Sequence, residues 1–130
     1  MAKIDSYRQL TVWQKAMDVA ENCFRLTAKW PREFRFELTS QIHRAAVSVP
    51  SNIAEGFNRH ARPAYLNHLR IGLGSLAELD TQLESAVRLG LVAESVLKPT
   101  RALLDEVSRM LHGLTKALEA KDRLEAGRDN

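Results

Sequence analysis

The sequence predicts an all-α protein that folds as an up-down-up-down bundle of four helices. Aromatic residues make up only 6% of the chain, while Leu, Ala, Glu, Lys and Arg are abundant, a usage that favours helix over sheet. Apolar residues recur three and four positions apart in four successive segments, which is the spacing of one helix face. Pro31, Pro63 and Gly90 separate these segments. At 130 residues, 45% of them hydrophobic, the chain has the size of a single domain, residues 1–130.

The first helix is expected over roughly residues 11–30. Thr11 can cap its start, and Pro31 ends it because the residue before a proline avoids the α region. The predicted core face is apolar throughout and consists of Trp13, Ala16, Met17, Ala20, Cys23 and Phe24. A second apolar lane follows at steps of seven and consists of Val12, Val19 and Leu26. The apolar arc is therefore wider than one core face requires.

The second helix is expected over roughly residues 37–60 and carries an unusual stretch, RAAVSVPSNIAEG, at residues 44–56. Its seam has the four-three spacing of a helical bundle and consists of Leu38, Ile42, Ala45, Val49, Asn52 and Gly56. Pro50 removes one backbone donor and should kink the helix, which frees the carbonyl of Ala46. Ser48, Ser51 and Asn52 are close enough in sequence to satisfy that carbonyl.

Polar and small residues in this stretch favour packing over catalysis. Gln41, Ser48 and Glu55 form a polar lane beside the seam, and a buried Glu55 would need a donor such as Asn52, Ser75 or an arginine of another subunit. A catalytic carboxylate would need a partner group, and the sequence offers none. The small residues of this helix predict close approach of a neighbour through a narrow face at Gly72, Gly74 and Ser75.

The third helix is expected over residues 63–89 and the fourth over residues 93–120. The third seam consists of Leu69, Gly72, Leu76, Leu79, Leu83 and Ala86. The fourth consists of Leu97, Thr100, Leu104, Val107, Leu111, Leu114 and Leu118, with a second lane of Val96, Leu103, Met110, Ala117 and Leu124. The polar tail, residues 121–130, should fray. The extra lanes on the first and fourth helices, including Val19, Leu103 and Met110, predict self-association.

A basic cluster lies at the predicted turn between the second and third helices. It contains Arg59, His60 and Arg62, with Arg44 upstream and Arg70 two turns further on. The formal net charge of +3 and the pI near 9.3 permit nucleic-acid binding without requiring it. The cluster is either a solvated helix end or a patch that contacts phosphates.

Other patterns carry less weight. IGLGSLA at residues 71–77 matches a dinucleotide-binding spacing, but it lies inside a leucine-periodic helix rather than after a strand. Arg62 and His68 have the spacing of the helical ribonucleases of the HEPN type, although six residues turn a helix by about 600° and separate the two side chains. A single cysteine, Cys23, excludes an internal disulfide, and no Cys/His pair has zinc-site spacing.

These observations predict neither a metal, nor a cofactor, nor a small-molecule substrate. The N-terminal MAKIDSYRQL has no apolar core of signal-peptide length, and no apolar run has the length of a membrane span. We therefore expect a cytoplasmic location and no membrane partner.

Three blocks of the sequence resemble a known family. They are LTVWQKAMDVAENCFRLTAKWP, QIHRAAVSVPSNIAEGFNR and YLNHLRIGLGSLAELDTQLESAVRLGL. Over roughly residues 7–118 the chain is similar to the four-helix-bundle proteins encoded in intervening sequences of bacterial 23S ribosomal RNA. The resemblance implies a left-handed bundle, a cyclic homopentamer and no established enzyme activity. Similar bundles include the accessory protein of diversity-generating retroelements, a pentamer that binds nucleic acid.

The same resemblance suggests roles for individual residues. Arg44, Arg59 and Arg62 would face nucleic acid, while Asn52, Glu55 and Gly56 would hold the bundle together. Where the family often has a Ser/Thr or Lys run after the NR dipeptide, this chain has HARP, which lacks a helix cap and weakens the expected phosphate contact.

The leading hypothesis is a non-catalytic homo-oligomer, a pentamer on the family resemblance, that binds RNA or DNA through basic helix ends as an accessory factor. The first alternative is a protein-interaction scaffold without affinity for nucleic acid. The second is a ribonuclease that uses His68 and Arg62.

Overall fold

Four α-helices account for most of residues 3–128, the part of the chain that the computed structural model describes. Helix α1 comprises Thr11–Thr27, α2 Ser40–Asn58, α3 Arg62–Arg88 and α4 Glu94–Arg128. A 3-10 turn at Tyr7–Gln9 precedes α1, and a 3-10 turn (Arg32–Phe34) and a π-helical segment (Arg35–Thr39) connect α1 to α2. Residues 3–128 contain no strand, so the predicted all-α class is confirmed.

Each helix packs against two neighbours. Helix α2 contacts α1 and α3, and α4 contacts α3 and α1. Helices α3 and α4 run in opposite directions, because Arg62 at the start of α3 pairs with Asp122 late in α4, whereas Asp80 late in α3 pairs with Arg101 early in α4. This arrangement places α1, α2, α3 and α4 around one shared core.

The first helix begins at Thr11 as predicted, but the structure corrects its predicted cap and its predicted C-terminal end. Leu10, not Thr11, occupies the N-cap position and makes no side-chain cap bond. Ser6 instead caps the preceding turn, where its hydroxyl accepts from Arg8 N–H. At the other end α1 stops at Thr27 rather than at residue 30, and Thr27 Oγ1 lies 2.7 Å from His43 Nε2 of α2.

The fourth helix is longer than predicted, since it continues to Arg128 instead of ending near residue 120. Arg62 accounts for part of this extension, because its guanidinium lies 3.0 Å from Asp122 Oδ1 and 2.8 Å from Glu125 Oε2. Residues 121–128, for which the sequence predicts fraying, are helical in this structure. The fraying itself stays a prediction. The last two residues of that predicted tail lie outside the described residues.

The buried face of α1 is rotated from the predicted one. Val12 and Val19 are only 6% and 2% exposed, whereas Met17 and Phe24 are 43% and 44% exposed. The physical reason is that α1 packs on both α2 and α4, so its buried arc points between these two helices. The interface role predicted for Val19 is wrong, because Val19 belongs to the core of its own chain.

The second apolar lane of α4 is divided between the core and the surface. Leu103 and Met110 are half-buried and pack against the core, whereas Val96 and Leu124 are 57% and 65% exposed. The lane therefore exposes apolar surface near both ends of α4, while the residues in its middle pack partly against the core of the same chain. An interface role for Leu103 and Met110 stays a prediction.

The thiol of Cys23 is fully buried in the core, and burial raises its pKa to about 12. Because the thiolate is the reactive form, we expect the native protein to react with a disulfide reagent at least roughly a hundredfold more slowly than the unfolded chain. Thiol titration with Ellman's reagent, with and without guanidinium chloride, measures both rates. Fast labelling of the native protein would contradict the burial of Cys23.

Candidate functional site

A chain of polar side chains joins α2 to α3; we call Ser48, Asn52, His68 and Ser75 the polar seam. The hydroxyls of Ser48 and Ser75 share a hydrogen bond of 2.7 Å. Asn52 Nδ2 donates to the carbonyl of Ser48 at 2.9 Å and to its hydroxyl at 3.1 Å. Asn52 Oδ1 lies 3.0 Å from His68 Nδ1. Since an amide oxygen only accepts, His68 carries its proton on Nδ1.

The hydrogen bonds of the polar seam differ from those that the sequence predicts. Asn52 donates to the Ser48 carbonyl, not to the Ala46 carbonyl that Pro50 was expected to free. Pro50 itself is buried inside α2 without ending the helix. Ser48, Asn52 and Ser75 thus satisfy one another across the α2–α3 contact. Within residues 3–128 neither serine hydroxyl is hydrogen-bonded to a histidine or a carboxylate, the partner that would activate it as a nucleophile.

Glu55 is not the buried carboxylate that the sequence suggested. Its side chain is 54% exposed, Arg59 binds it at 3.0 Å, and His68 Nε2 lies 3.9 Å away. The hydrogen bond that the Arg59 guanidinium donates lowers the pKa of the Glu55 carboxyl. A general acid needs a raised pKa to hold its proton near neutral pH, so Glu55 in this setting is suited to ion pairing.

Of the glycines in α2 and α3, only Gly56 makes a helix contact that is too close for a side chain. A Cβ atom at Gly56 would lie 2.8 Å from His68 Cβ and 3.0 Å from Tyr65 Cδ1, closer than side chains tolerate. At Gly72 the nearest atoms would lie at the ordinary distance of 3.9 Å, and Gly74 is exposed with open space around it. The narrow face predicted for Gly72, Gly74 and Ser75 is therefore wrong at Gly74.

The basic cluster is largely neutralised within the chain. Three arginines of the predicted patch form ion pairs with carboxylates of the same chain. Arg59 pairs with Glu55, and Arg62 pairs with Asp122 and Glu125. Arg70 pairs with Glu119 at 2.8 Å. The hydrogen bonds that the Arg62 guanidinium donates to Glu125 and Asp122 raise the pKa of Arg62. Arg44 donates to the Ser40 hydroxyl at 3.4 Å, and His60 is exposed with a φ of 60°. A phosphate would have to compete with these carboxylates for the paired arginines.

Arg62 and His68 do not form a catalytic pair. The Arg62 guanidinium binds α4 through Asp122, while the His68 imidazole binds α2 through Asn52. The two side chains thus point to different neighbouring helices, as their spacing on α3 suggested. The ribonuclease alternative has no geometric support.

The surface of α1 and α2 contains an apolar groove that sequence reasoning missed. Its volume is about 510 Å³, and we define the α1–α2 groove by six of its lining residues, Tyr7, Trp13, Met17, Phe24, Val47 and Pro50. Met17, Phe24 and Val47 are each 43–44% exposed. The sequence predicts Met17 and Phe24 of α1 in the core because their spacing is that of a helix face. The spacing alone does not show which face of the helix points inward.

Two kinds of site lack a counterpart in residues 3–128. Nowhere in this range do three or more His, Cys, Asp or Glu side chains come together as a metal site would require. None of the helices in the same range is both long enough and apolar enough to cross a lipid bilayer.

Comparisons with known proteins agree with this geometry. The family model described as 23S rRNA-intervening sequence protein matches residues 8–113 of the 130-residue chain. A crystal structure of a protein with unknown function from the S23 ribosomal protein family, from Bacteroides thetaiotaomicron, superposes with a TM-score of 0.73 at 21% sequence identity. That match covers 82% of this chain and 99% of the other. The comparison with curated proteins found no match.

Proposed function

This chain belongs to the 23S rRNA-intervening sequence protein family, and we propose that it is a non-catalytic, self-associating bundle that serves as an accessory factor for nucleic acid. The assembly we propose is a cyclic homopentamer of left-handed up-down-up-down bundles. The α1–α2 groove is the observation that carries self-association. It keeps large apolar side chains in water, although a monomer could have used them in its core.

A ring requires two different surfaces on each copy, because every subunit contacts one neighbour through each. The α1–α2 groove supplies a concave apolar surface. The lane of α4, with Leu103 and Met110 in its middle and Leu124 exposed near its end, supplies a convex one. A second copy that seats this lane in the groove would bury both, which is the arrangement we propose.

Changing Met17 and Phe24 together to glutamate should abolish or weaken self-association by at least about tenfold, since each carboxylate would have to be desolvated in the interface. Light scattering coupled to size exclusion measures the mass of the particle. The matched control is Ile71→Glu, because Ile71 is an equally exposed apolar residue (45%) on α3, outside the groove. We expect this control to assemble as the unchanged protein does.

Two outcomes would contradict the proposed assembly. An unchanged protein that is monomeric at micromolar concentration would remove self-association altogether. Equal weakening by the groove variant and by Ile71→Glu would place the interface elsewhere. A protein that assembles but binds no nucleic acid would be the interaction scaffold.

A further inference from the structure

We infer that the outward face of α4 is a binding surface for the phosphate backbone of double-stranded nucleic acid. This inference rests on the nucleic-acid part of the proposed function and moves the contact away from the α2–α3 turn. The surface, which we call the α4 cationic stripe, consists of Lys98, Arg109, Lys116 and Arg123. All four side chains are exposed.

The positions of these residues align them along one line of the helix. At 100° per residue, the four side chains fall within an arc of about 40° and extend over about 38 Å of the helix axis. The buried residues of α4, from Leu97 to Thr115, lie about 140° away around the same helix. The α4 cationic stripe therefore faces away from the core.

These cations differ from those of the α2–α3 turn because they are free. None of the ion pairs formed within residues 3–128 involves Lys98, Arg109, Lys116 or Arg123. One carboxylate, Asp105, lies on the same line of the helix. Four cations against this single carboxylate leave an excess of positive charge that the chain itself does not neutralise.

The chemistry of the α4 cationic stripe favours a duplex backbone. It contains no aromatic side chain, and single-stranded nucleic acids are typically held by aromatic stacking. Lysine and arginine contacts to phosphates need no sequence and no stacking. A regular and stiff polyanion can meet several of these cations at once, because they lie along one line of the same helix.

The test compares two double variants that remove equal charge. Arg109→Gln with Lys116→Gln removes the centre of the α4 cationic stripe. Lys29→Gln with Arg32→Gln removes two exposed cations between α1 and α2, outside the stripe, the α1–α2 groove and the apolar lane of α4, and these also form no ion pair within residues 3–128. Fluorescence anisotropy with a labelled blunt-ended duplex of arbitrary sequence, at several salt concentrations, measures affinity. Circular dichroism and light scattering check that both variants fold and assemble.

We expect the stripe variant to bind the duplex at least about tenfold more weakly at low salt, and its slope of log K against log salt to flatten by about 2. The Lys29/Arg32 variant should stay within about threefold of the unchanged protein. Equal losses in both variants would show that only net charge matters and would overturn the inference, as would no loss in either.

Three further outcomes separate this inference from the proposed function. If the unchanged protein and the stripe variant bind the duplex equally well, the accessory role is retained, but the α4 cationic stripe is not the binding surface. Tighter binding to the single strand than to the duplex, or equal displacement by polyglutamate, overturns the assignment to a duplex backbone. No binding of any nucleic acid at low salt ends both the inference and the nucleic-acid role.

Discussion

Replacing Leu79 by alanine is expected to lower the free energy of unfolding by about 2–5 kcal/mol, the largest loss among the changes considered for this protein. Leu79 is fully buried on α3, which lies between α2 and α4. The change removes apolar atoms from the core and leaves a cavity that the surrounding helices fill only in part. Equilibrium denaturation with urea, followed by circular dichroism, gives the difference.

Leu89→Ala is the matched control, because it deletes the same atoms from a side chain that is 58% exposed in the turn after α3. We expect it to change the free energy of unfolding by less than about 0.5 kcal/mol. Similar losses of stability in both variants would contradict the burial of Leu79 and the exposure of Leu89.

Gly56→Ala is expected to destabilise the protein by about 1–3 kcal/mol, although alanine is the better helix former. The added Cβ would lie 2.8 Å from His68 Cβ, an atom held close to the α3 backbone, and 3.0 Å from the ring of Tyr65. Relief requires α2 and α3 to move apart, which would stretch the bond between Asn52 and His68. Thermal and urea denaturation both report the loss.

Gly113→Ala is the matched control, because the same chemical change is expected to stabilise the protein at this position. Gly113 is exposed inside α4, and nothing lies within 4 Å of a Cβ placed there. Helix propensity then acts alone, and stability should rise by about 0.5–1 kcal/mol. A stabilising effect at Gly56 would mean that the α2–α3 contact is looser than described.

The spacing of apolar residues in the sequence is enough to predict the helices, and the agreement with the structure is most complete for α3. Leu69, Gly72, Leu76, Leu79, Leu83 and Ala86 were predicted as one seam, and all six are buried. On α1 the same rule failed, since two apolar lanes competed and only the presence of α4 beside α2 decided that Val12 and Val19 point inward while Met17 and Phe24 do not. The α1–α2 groove could not be foreseen for this reason.

The candidate site was harder to predict because its chemistry depends on distant partners. The cations of the α2–α3 turn were visible in the sequence, but the carboxylates that bind Arg62 lie 60 and 63 residues further along the chain. The α4 cationic stripe was also visible, with Arg109, Lys116 and Arg123 at steps of seven. The two groups of cations differ in whether they form ion pairs with carboxylates of the same chain. Such ion pairs form only when the helices have packed together.

The length of α4 has a consequence for its own last turns. No residue after Thr115 is buried, and Arg62 and Arg70 alone provide the ion pairs that attach this end to α3 within residues 3–128. Exposed ion pairs contribute little free energy, so the end of α4 can open while the rest of the protein stays closed. Backbone amides there should exchange with heavy water long before those at the centre of α3, in a motion independent of global unfolding.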